Sequence, residues 1–467
     1  MRPILTPLLL AAALPLSACA GFTHAPEVAT GLVSHQLCSA TFISHLDPDQ
    51  TYREALAPVL GPFAGMVGHR VDRAKGEVTA SLGPLSHARA IYRGPLGCLV
   101  IRGAAPAPVA LRDTPSAPPL LAPVAGPDIV TPQDPALIAA LDHAFAEPGK
   151  ITRNIKAVVI LHDGRVIAER YAPGVGPLTP LHGWSMTKSA TNALVGIMVA
   201  QGRLDMDKPA PVAAWANPAD PRHVITPDDM LRMRTGLKLG NSANASTNSA
   251  VDISARAMFA ERDMAGFSAA APLDGVVGKS FAYADGETLI LSRIVRDLAG
   301  GDAASVHAFM RRELFDKLGM AGAVMELDAT GTPLGGSHLY APARDWAKLG
   351  QLYVQDGVVG GQRILPAGWV DYSARQTPGS EMIGYGAGFW TERGQGWAVE
   401  HRRQNGLPAD SFMARGSFGQ FMLVMPKDHL VIVQLGPSNS AGGDIDGLFQ
   451  LTRETLAALA AKPAAGS

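Results

Sequence analysis

The sequence predicts an α+β fold in which an antiparallel β-sheet packs against helices and a second lobe is entirely helical. Two observations predict it. A strand-turn-strand pattern lies near each end of the region from residue 134 to residue 467, and the segments between these hairpins have helical hydrophobic spacing. A small mixed domain precedes this region. We expect a functional site in the cleft between the sheet and the helical lobe.

The first residues have the pattern of an export signal. A basic start at Arg2 is followed by an apolar run over residues 8–16, which is too short to span a bilayer. The run ends in Leu16-Ser17-Ala18-Cys19, which resembles a bacterial lipobox. We therefore expect residues 1–18 to be a lipoprotein signal peptide and Cys19 to carry lipid, so that the protein is anchored on the periplasmic side of the cell envelope. The alternative is an ordinary signal peptide with a coincidental cysteine, and it also predicts export.

Length and composition exclude some classes of function. The chain has 467 residues, 47% of them hydrophobic and 17% charged, which is enough apolar material for a large core and two or three domains. The formal net charge is −1, so the basic surplus of nucleic-acid-binding proteins is missing. The sequence has no CxxC or HExxH pattern and its 13 histidines are scattered, so it predicts neither a metal site nor a cofactor.

A small N-terminal domain is predicted over residues 19–102. It contains Cys38 and Cys98, which most simply pair in an oxidising compartment, with two buried thiols as the alternative. Packing or partner docking is the default expectation for this domain, because it has no catalytic pattern. A proline-rich linker or surface strap follows at residues 103–133. Strands are predicted in the domain at residues 38–44, 78–82, 88–92 and 97–101.

The large domain, residues 134–467, begins with a helix for which Asp134 is the predicted N-cap. The first hairpin has an Asp-Gly turn at residues 163–164, which is the strongest short hairpin signal. Helices are predicted at residues 134–145, 225–233, 286–299, 305–318, 345–356 and 445–461. Strands are predicted at residues 156–162, 165–171, 419–425 and 430–435.

Between the first hairpin and the helical block lies Ser185-Met186-Thr187-Lys188, followed by an apolar run to Ala200. Positions i and i+3 of a helix share a face, so Ser185 and Lys188 are expected to point into one cleft. The unpaired N–H groups of a helix N-terminus favour a neutral, proton-accepting lysine and a bound oxyanion. The S-x-x-K pattern is typical of serine acyl-transfer enzymes, although four residues can match it by chance.

A serine nucleophile needs a base and an oxyanion hole, and two further segments supply candidates. Tyr283 lies just before a predicted helix, with Asp285 two residues later. A tyrosinate beside a lysine cation can accept the serine proton, because a nearby cation lowers the pKa of the phenol. The alternative is an aromatic side chain packed at a helix start. The stretch from Ala414 to Gln420 is a glycine-rich entry into the last hairpin, where a ligand can approach the backbone closely.

These three segments, in this order, resemble the class C β-lactamase and penicillin-recognising serine hydrolase superfamily. The chain looks most like its branch of esterases and 6-aminohexanoate-oligomer hydrolases, and the resemblance covers roughly residues 134–460. Supporting stretches are residues 202–209, 225–227, 233–237 and 343–352.

The resemblance implies a β-lactamase-like fold and a role for each matching residue. Ser185 is the acylated nucleophile, and Lys188 and Tyr283 share the general-base and proton-shuttle work. The backbone N–H groups of Ser185 and Ser417 form the oxyanion hole, and water then hydrolyses the acyl-enzyme. The implied partners are a small ester or amide substrate and, through the N-terminal lipid, a membrane.

Two departures from the superfamily pattern narrow the substrate. The tyrosine motif usually ends in asparagine or serine, and here it ends in Asp285. Where β-lactamases have Lys-Thr-Gly, this chain has Ala414-Arg415-Gly416, so the lysine that holds a β-lactam carboxylate is missing unless Arg415 faces inward. An ester or a linear amide is therefore expected. Distant segments should form the cleft walls, among them residues 241–248 and Tyr385, Phe389 and Trp390.

Other functions compete with this one. A β-lactamase or D-alanyl peptidase acting on cell-wall-like substrates would use the same nucleophile. A lipid-anchored binding or sensor protein would keep the fold without turnover, and the intact serine, lysine and tyrosine argue against it. A Ser-His-Asp triad is disfavoured, because Thr187 stands where the G-x-S-x-G elbow has its second glycine. The candidate bases for such a triad are His182, His338 and His401.

Overall fold

The N-terminal part of the chain is a helix packed on a small antiparallel sheet. The structure, a computed structural model, describes residues 24–111, 117–149, 151–240, 252–440 and 442–461. The first helices are α1 (Ala25–Phe42), α2 (Pro48–Thr51) and α3 (Ala57–Leu60). The first strands are β1 (Gly68–Asp72), β2 (Glu77–Leu82), β3 (Ser86–Tyr92) and β4 (Cys98–Val100), paired in the order β1-β2-β3-β4.

The strand predicted over residues 38–44 is wrong, because residues up to Phe42 belong to α1. Short β-branched and hydroxyl side chains give this stretch a strand-like propensity. Tertiary packing overrides it, since α1 is buried between the inner face of the sheet and a later helix, Ile253–Ala260. Cys38 of α1 is bonded to Cys98 of β4, with the two Cα atoms 6.1 Å apart. The domain boundary at residue 102 stays a prediction, since the N-terminal part shares its hydrophobic cluster with that later helix.

The rest of the described chain alternates short strands with many helices. The helices are α4 (Pro135–Phe145), α5 (Thr187–Ala200), α6 (Pro227–Leu231), α7 (Ile253–Ala260), α8 (Met264–Ala269), α9 (Gly286–Ala299), α10 (Ala303–Met310), α11 (Ala343–Val354), α12 (Trp369–Ala374), α13 (Trp397–Gln404) and α14 (Ile445–Ala460). The strands are β5 (Ala157–His162), β6 (Arg165–Tyr171), β7 (Leu181–His182), β8 (Val324–Met325), β9 (Leu339–Ala341), β10 (Val358–Val359), β11 (Gln362–Arg363), β12 (Trp390–Thr391), β13 (Phe412–Gly416), β14 (Gln420–Met425) and β15 (Leu430–Leu435).

The two predicted hairpins join into one six-stranded antiparallel sheet, in the order β12-β13-β14-β15-β5-β6. The first and last parts of the large domain meet where β15 pairs with β5, with Val433 opposite Val159. Strands β14 and β15 are buried at every position, because both faces of the sheet are covered. The α+β architecture predicted from the sequence is confirmed.

Successive residues of the sheet point into two different hydrophobic clusters, as the alternation of a strand requires. Val159 and Val433 face a cluster that includes α5, α9 and α11, whereas Ile160 and Ile432 face one that includes α4 and α14. The helical part shares the first cluster with the sheet, and it also contains a short three-stranded sheet, β7-β9-β8, that the sequence did not predict.

The proline-rich stretch lies along the open edge of the large sheet. The Val166 N–H donates to the Val124 carbonyl (2.9 Å) and the Glu169 N–H donates to the Val130 carbonyl (3.1 Å). This contact covers backbone groups of β6 that would otherwise be available to another strand. Within the described ranges, no helix has both the length and the apolar character needed to cross a membrane.

Candidate active site

Ser185 lies in a tight 3₁₀ turn, Trp184–Met186, that leads into α5. The turn is held from two sides, since Thr187 Oγ1 donates to the Trp184 carbonyl (2.6 Å) and accepts from the Leu339 N–H of β9 (3.1 Å). Trp184 has a φ of 47°, a backbone conformation that a tryptophan adopts only when its surroundings impose it. The serine is half-buried and sits on a rigid support.

Lys188 occupies the first turn of α5 and is buried. Its ammonium donates to Ser185 Oγ (3.1 Å) and to the Gly336 carbonyl (2.9 Å), and it forms an ion pair with Asp285 Oδ1. A lysine ammonium has three N–H donors, and these three oxygens can use all of them. The predicted proximity of Ser185 and Lys188 is therefore present, but Lys188 is a saturated donor.

The electrostatics support the ammonium form of Lys188. Burial lowers the pKa of Lys188, but the Asp285 carboxylate and Tyr283 raise it more, so the pKa lies above its usual value. The buried Asp285 carboxylate therefore opposes the neutral, proton-accepting lysine expected at the helix N-terminus, and this geometry favours the ammonium form.

Tyr283 lies beside Lys188, just before α9. The Lys188 ammonium is 4.9 Å from the centre of the Tyr283 ring, which is itself buried. Two other rings orient the tyrosine, since Tyr385 packs edge-on against it at 5.2 Å and Trp390 lies 5.6 Å away. With every donor of Lys188 engaged, Tyr283 is the better candidate for a proton acceptor.

Asp285 departs from the usual tyrosine motif, and the structure shows the consequence. Its carboxylate forms a buried ion pair with Lys188 that an asparagine or serine would not provide. Gly336 approaches closely on the other side, because a Cβ atom there would stand 3.1 Å from Asp285 Oδ1. The sequence analysis did not identify Gly336 as a site residue. The feature that could have indicated it is the Gly335-Gly336 pair, because adjacent glycines allow another group to approach the backbone closely.

The glycine-rich strand entry lies against the serine turn. A Cβ atom on Gly416 would stand 2.2 Å from the Gly183 carbonyl oxygen and 3.0 Å from Trp184 Cβ, so only glycine fits at the end of β13. Ser417 follows in the turn to β14, and Phe418 packs edge-on against Trp184 at 5.4 Å. Gly416 thus contacts the Gly183–Trp184 segment. Ser185 and Ser417, whose N–H groups are the two predicted oxyanion donors, each directly follow one side of this contact.

With this geometry in place, comparison with known proteins assigns the family. The family model described as Beta-lactamase matches residues 150–456. The chain belongs to the Beta-lactamase family of serine hydrolases. Comparison with curated proteins finds no match.

Solved structures of the Beta-lactamase fold resemble this chain at low identity. A penicillin-binding protein homologue from Caulobacter crescentus has a TM-score of 0.55 at 17% identity and covers 71% of this chain and 100% of its own. A Bacillus anthracis protein, named provisionally as a 6-aminohexanoate-dimer hydrolase, has a TM-score of 0.53 at 21% identity, with coverages of 65% and 79%. EstCE1, a hydrolase with promiscuous acyltransferase activity, has a TM-score of 0.51 at 16% identity, with coverages of 69% and 98%. At these identities the likeness shows a shared fold.

Arg415 stands where many Beta-lactamase-fold enzymes have the threonine of Lys-Thr-Gly. Its guanidinium lies 4.8 Å from the centre of the Trp390 ring and donates to the Gly442 carbonyl (3.0 Å). Burial, helped by the charge of Arg402, lowers the pKa of Arg415 to about 10, so it stays cationic at neutral pH. Arg415 thus faces the side of the sheet on which Trp390 and Tyr283 lie, but it is held against an aromatic ring.

Two of the three aromatic residues predicted to line the cleft lie near Tyr283. Tyr385 and Trp390 do lie around Tyr283. Phe389 does not, because it packs between Tyr353 and Phe412 in the cluster on the other face of the sheet. The polar stretch at residues 241–248 lies outside the described residues.

The histidines do not form a catalytic triad with Ser185. The hydrogen-bond partner that the structure gives Ser185 Oγ is Lys188, not a histidine. His182 bonds the Ser337 carbonyl (2.8 Å), and desolvation lowers its pKa to about 3. His338 contacts the Ser337 hydroxyl (2.6 Å), and His401 stacks on Trp397 of α13. The S-x-x-K arrangement therefore remains the better interpretation.

Proposed function

We propose that the chain is an exported, lipid-anchored serine hydrolase that cleaves a carboxylic ester or a linear amide through an acyl-enzyme on Ser185. The observation that carries this proposal is the 3.1 Å contact between Ser185 Oγ and a buried, fully engaged Lys188, with Tyr283 against the same ammonium. This is the constellation of nucleophile, orienting cation and base that acyl transfer needs.

In the proposed reaction, the phenolate form of Tyr283 takes the proton of Ser185 as Oγ attacks the substrate carbonyl. The Lys188 ammonium lies 4.9 Å from the centre of the Tyr283 ring, so a cation adjoins the group that is proposed to accept the proton. The carbonyl oxygen becomes an oxyanion that accepts hydrogen bonds from the N–H groups of Ser185 and Ser417. Tyr283 then returns its proton to the leaving alcohol or amine as the C–O or C–N bond breaks.

Deacylation uses the same groups in the same order. Water attacks the ester carbon of the acyl-enzyme while Tyr283 accepts a proton from that water. The second oxyanion collapses, the bond between the acyl carbon and Ser185 Oγ breaks, and Tyr283 gives the proton back to Oγ. The net reaction consumes one water and releases a carboxylic acid.

Esters and linear amides are favoured over β-lactams because of Arg415. Arg415 is the side chain that would have to hold a β-lactam carboxylate. Its guanidinium instead lies over the Trp390 ring and donates to the Gly442 carbonyl. The names of the B. anthracis protein and EstCE1 agree with this choice of substrate class, though they describe those proteins. A panel of short-chain esters, linear amides and a chromogenic cephalosporin tests it, and faster turnover of the cephalosporin would reverse the assignment.

The nucleophile is tested with a fluorophosphonate probe on purified protein. We expect covalent labelling of the wild type, no labelling of Ser185→Ala, and full labelling of Ser81→Ala, which removes an exposed hydroxyl on the N-terminal sheet. Peptide mass spectrometry locates the label. Equal labelling of Ser185→Ala and wild type would remove Ser185 from the mechanism.

Lipid anchoring is tested by metabolic labelling with palmitate in a bacterial host. We expect the wild type to incorporate the label and to sediment with the membrane fraction, and Cys19→Ser to do neither. Retention of label in Cys19→Ser would show that Cys19 is not the lipidated residue.

A further inference from the structure

We propose that the chain has a buried binding site for a divalent transition-metal ion of the zinc class, formed by His35, Glu326 and His338. The three side chains come from the N-terminal helix α1 and from the two ends of the β8–β9 connection. The site is independent of the hydrolase reaction proposed above, and none of its ligands takes part in that reaction.

The three residues offer one ligand atom each within a small volume. These atoms all lie within 4.8 Å of one another, and all three side chains are buried. Glu326 and His338 are neighbours because the Glu326 N–H donates to the His338 carbonyl (3.0 Å) at the end of the ladder between β8 and β9. Two imidazoles and a carboxylate are a common ligand set for zinc.

Two ligand atoms of the cluster lack the hydrogen bonds that buried polar atoms normally make. In the described part of the chain, Glu326 Oε2 and His35 Nδ1 are both buried without a hydrogen-bond partner. The other ring nitrogen, His35 Nε2, donates to the Cys98 carbonyl (3.2 Å) and lies 3.1 Å from Glu326 Oε2 without hydrogen-bond geometry. The lone pair of His35 is then on Nδ1, which is the atom left for an ion.

Neighbouring groups form hydrogen bonds to the atoms of these side chains that do not face the proposed ion, as the outer shell of a metal site does. The other oxygen of Glu326 accepts from Ser39 Oγ (2.8 Å) and from the Cys98 N–H (2.7 Å). Gly97 makes room for this carboxylate, since a Cβ atom there would stand 2.4 Å from Glu326 Cγ. The carboxylate is therefore fixed through one oxygen, with the other left for a ligand.

His338 is held in the same manner. Its Nδ1 lies 2.6 Å from Ser337 Oγ, which donates its own proton to Met258 Sδ (2.9 Å), so the Nδ1–H of His338 is the donor. The lone pair is then on Nε2, where it meets the Gln36 amide at 3.3 Å. The Gln36 amide is itself held in place, because the Tyr340 hydroxyl donates to Gln36 Oε1 (3.2 Å).

The position of the cluster gives the ion a structural role. Segment 336–338 carries the Gly336 carbonyl that accepts from Lys188 and the Ser337 carbonyl that contacts His182. An ion on His338 and Glu326 would fix this segment and tie it to α1. Binding to the folded state alone raises stability, so removal of the ion should lower the melting temperature.

The site is tested on the purified full-length chain with its disulfide intact. Elemental analysis of protein dialysed without chelator is expected to find about one zinc per chain. Stripping with a chelator should lower Tm by about 3 °C, and added zinc chloride should restore it. Wild type that takes up no zinc after stripping, or that shows no Tm shift, would overturn the proposal.

Two conservative variants locate the ion. Glu326→Gln and His35→Gln should bind zinc at least about tenfold more weakly than wild type. His223→Gln is the control, because it removes a half-buried histidine whose side-chain hydrogen bond, within the described ranges, is to the Trp215 carbonyl (2.8 Å). It should bind zinc as wild type does. Equal zinc affinity in Glu326→Gln and wild type would show binding elsewhere on the chain and would refute the site.

A spectroscopic measurement covers the case in which these variants do not fold. Cobalt(II) added to the stripped wild type should give the intense visible absorption of a four-coordinate ion with nitrogen and oxygen ligands. Only the weak spectrum of hexahydrated cobalt, with folded protein by circular dichroism, would refute the site without any variant.

Discussion

Two buried polar clusters share the segment from Gly336 to His338, and they differ in how completely the protein satisfies them. At the candidate active site, Lys188 has an acceptor for each of its three donors. At the histidine cluster, Glu326 Oε2 and His35 Nδ1 have no hydrogen-bond partner among the described residues. A satisfied cluster holds its protons in place, whereas an unsatisfied one has capacity for a ligand.

The difference separates two uses of buried charge. The Lys188–Asp285 pair holds the Lys188 ammonium in one orientation and so keeps a positive charge beside Tyr283 and Ser185. The histidine cluster has two buried atoms without a hydrogen-bond partner among the described residues, and an ion would engage both.

The largest effect is expected from removing the candidate base. Tyr283→Phe keeps the ring that packs on Tyr385 and Trp390 but removes the oxygen that accepts the serine proton. Acylation, measured by stopped-flow with a chromogenic ester, should slow by about 100-fold or more. Tyr385→Phe is the matched control, because it removes a buried hydroxyl that has no hydrogen-bond partner among the described residues, and it should acylate within about threefold of wild type. A near-normal rate in Tyr283→Phe would move the base role to another group.

The second effect concerns the ion pair of the satisfied cluster. Asp285→Asn keeps the shape of the side chain but leaves Lys188 with a buried charge and no counter-ion, so we expect a loss of about 3 kcal/mol in the free energy of unfolding. Asp297→Asn breaks an exposed pair with Arg296 and should cost less than about 1 kcal/mol. Urea denaturation measures both. An equal, small loss in the two variants would mean that the buried pair contributes no more than a surface one.

The satisfied cluster was largely predictable from the sequence, and the unsatisfied one was not. Ser185 and Lys188 are local, since helical spacing alone places them together, and the motif order predicted Tyr283 as their neighbour. The histidine cluster depends on long-range packing, because Gln36 and His338 meet across 302 positions of sequence. Scattered histidines therefore predicted no site. The same limit explains Phe389, whose aromatic character indicated a cleft wall. It lies just before β12 and packs in the cluster on the other face of the sheet from its neighbour Trp390.

The last prediction concerns Glu287, which shows that the candidate active site has an unsatisfied atom of its own. Glu287 Oε1 accepts from Thr235 Oγ1 (3.1 Å), but Oε2 is buried without a hydrogen-bond partner in the described part of the chain. Burial, with a smaller effect of the Asp285 charge, raises the pKa of Glu287 to about 8, although the Glu287 backbone N–H, Thr235 and Lys188 oppose the rise. The side chain is therefore a neutral acid at neutral pH, which lets an unpaired oxygen be buried at lower cost.

The raised pKa of Glu287 determines whether the free energy of unfolding rises or falls with pH. Between the unfolded pKa near 4.5 and the folded value of about 8, the folded state binds the extra proton, so the free energy of unfolding falls as pH rises through this window. Glu287→Gln keeps a neutral side chain at every pH and should remove that part of the fall, by at most about 1.4 kcal/mol per pH unit. Urea denaturation at several pH values measures the difference, with Glu400→Gln on the exposed side of α13 as the control. If the variant and the wild type lose stability in parallel between pH 5 and pH 8, Glu287 is ionised in the folded protein, and the candidate active site is then no better satisfied than the histidine cluster.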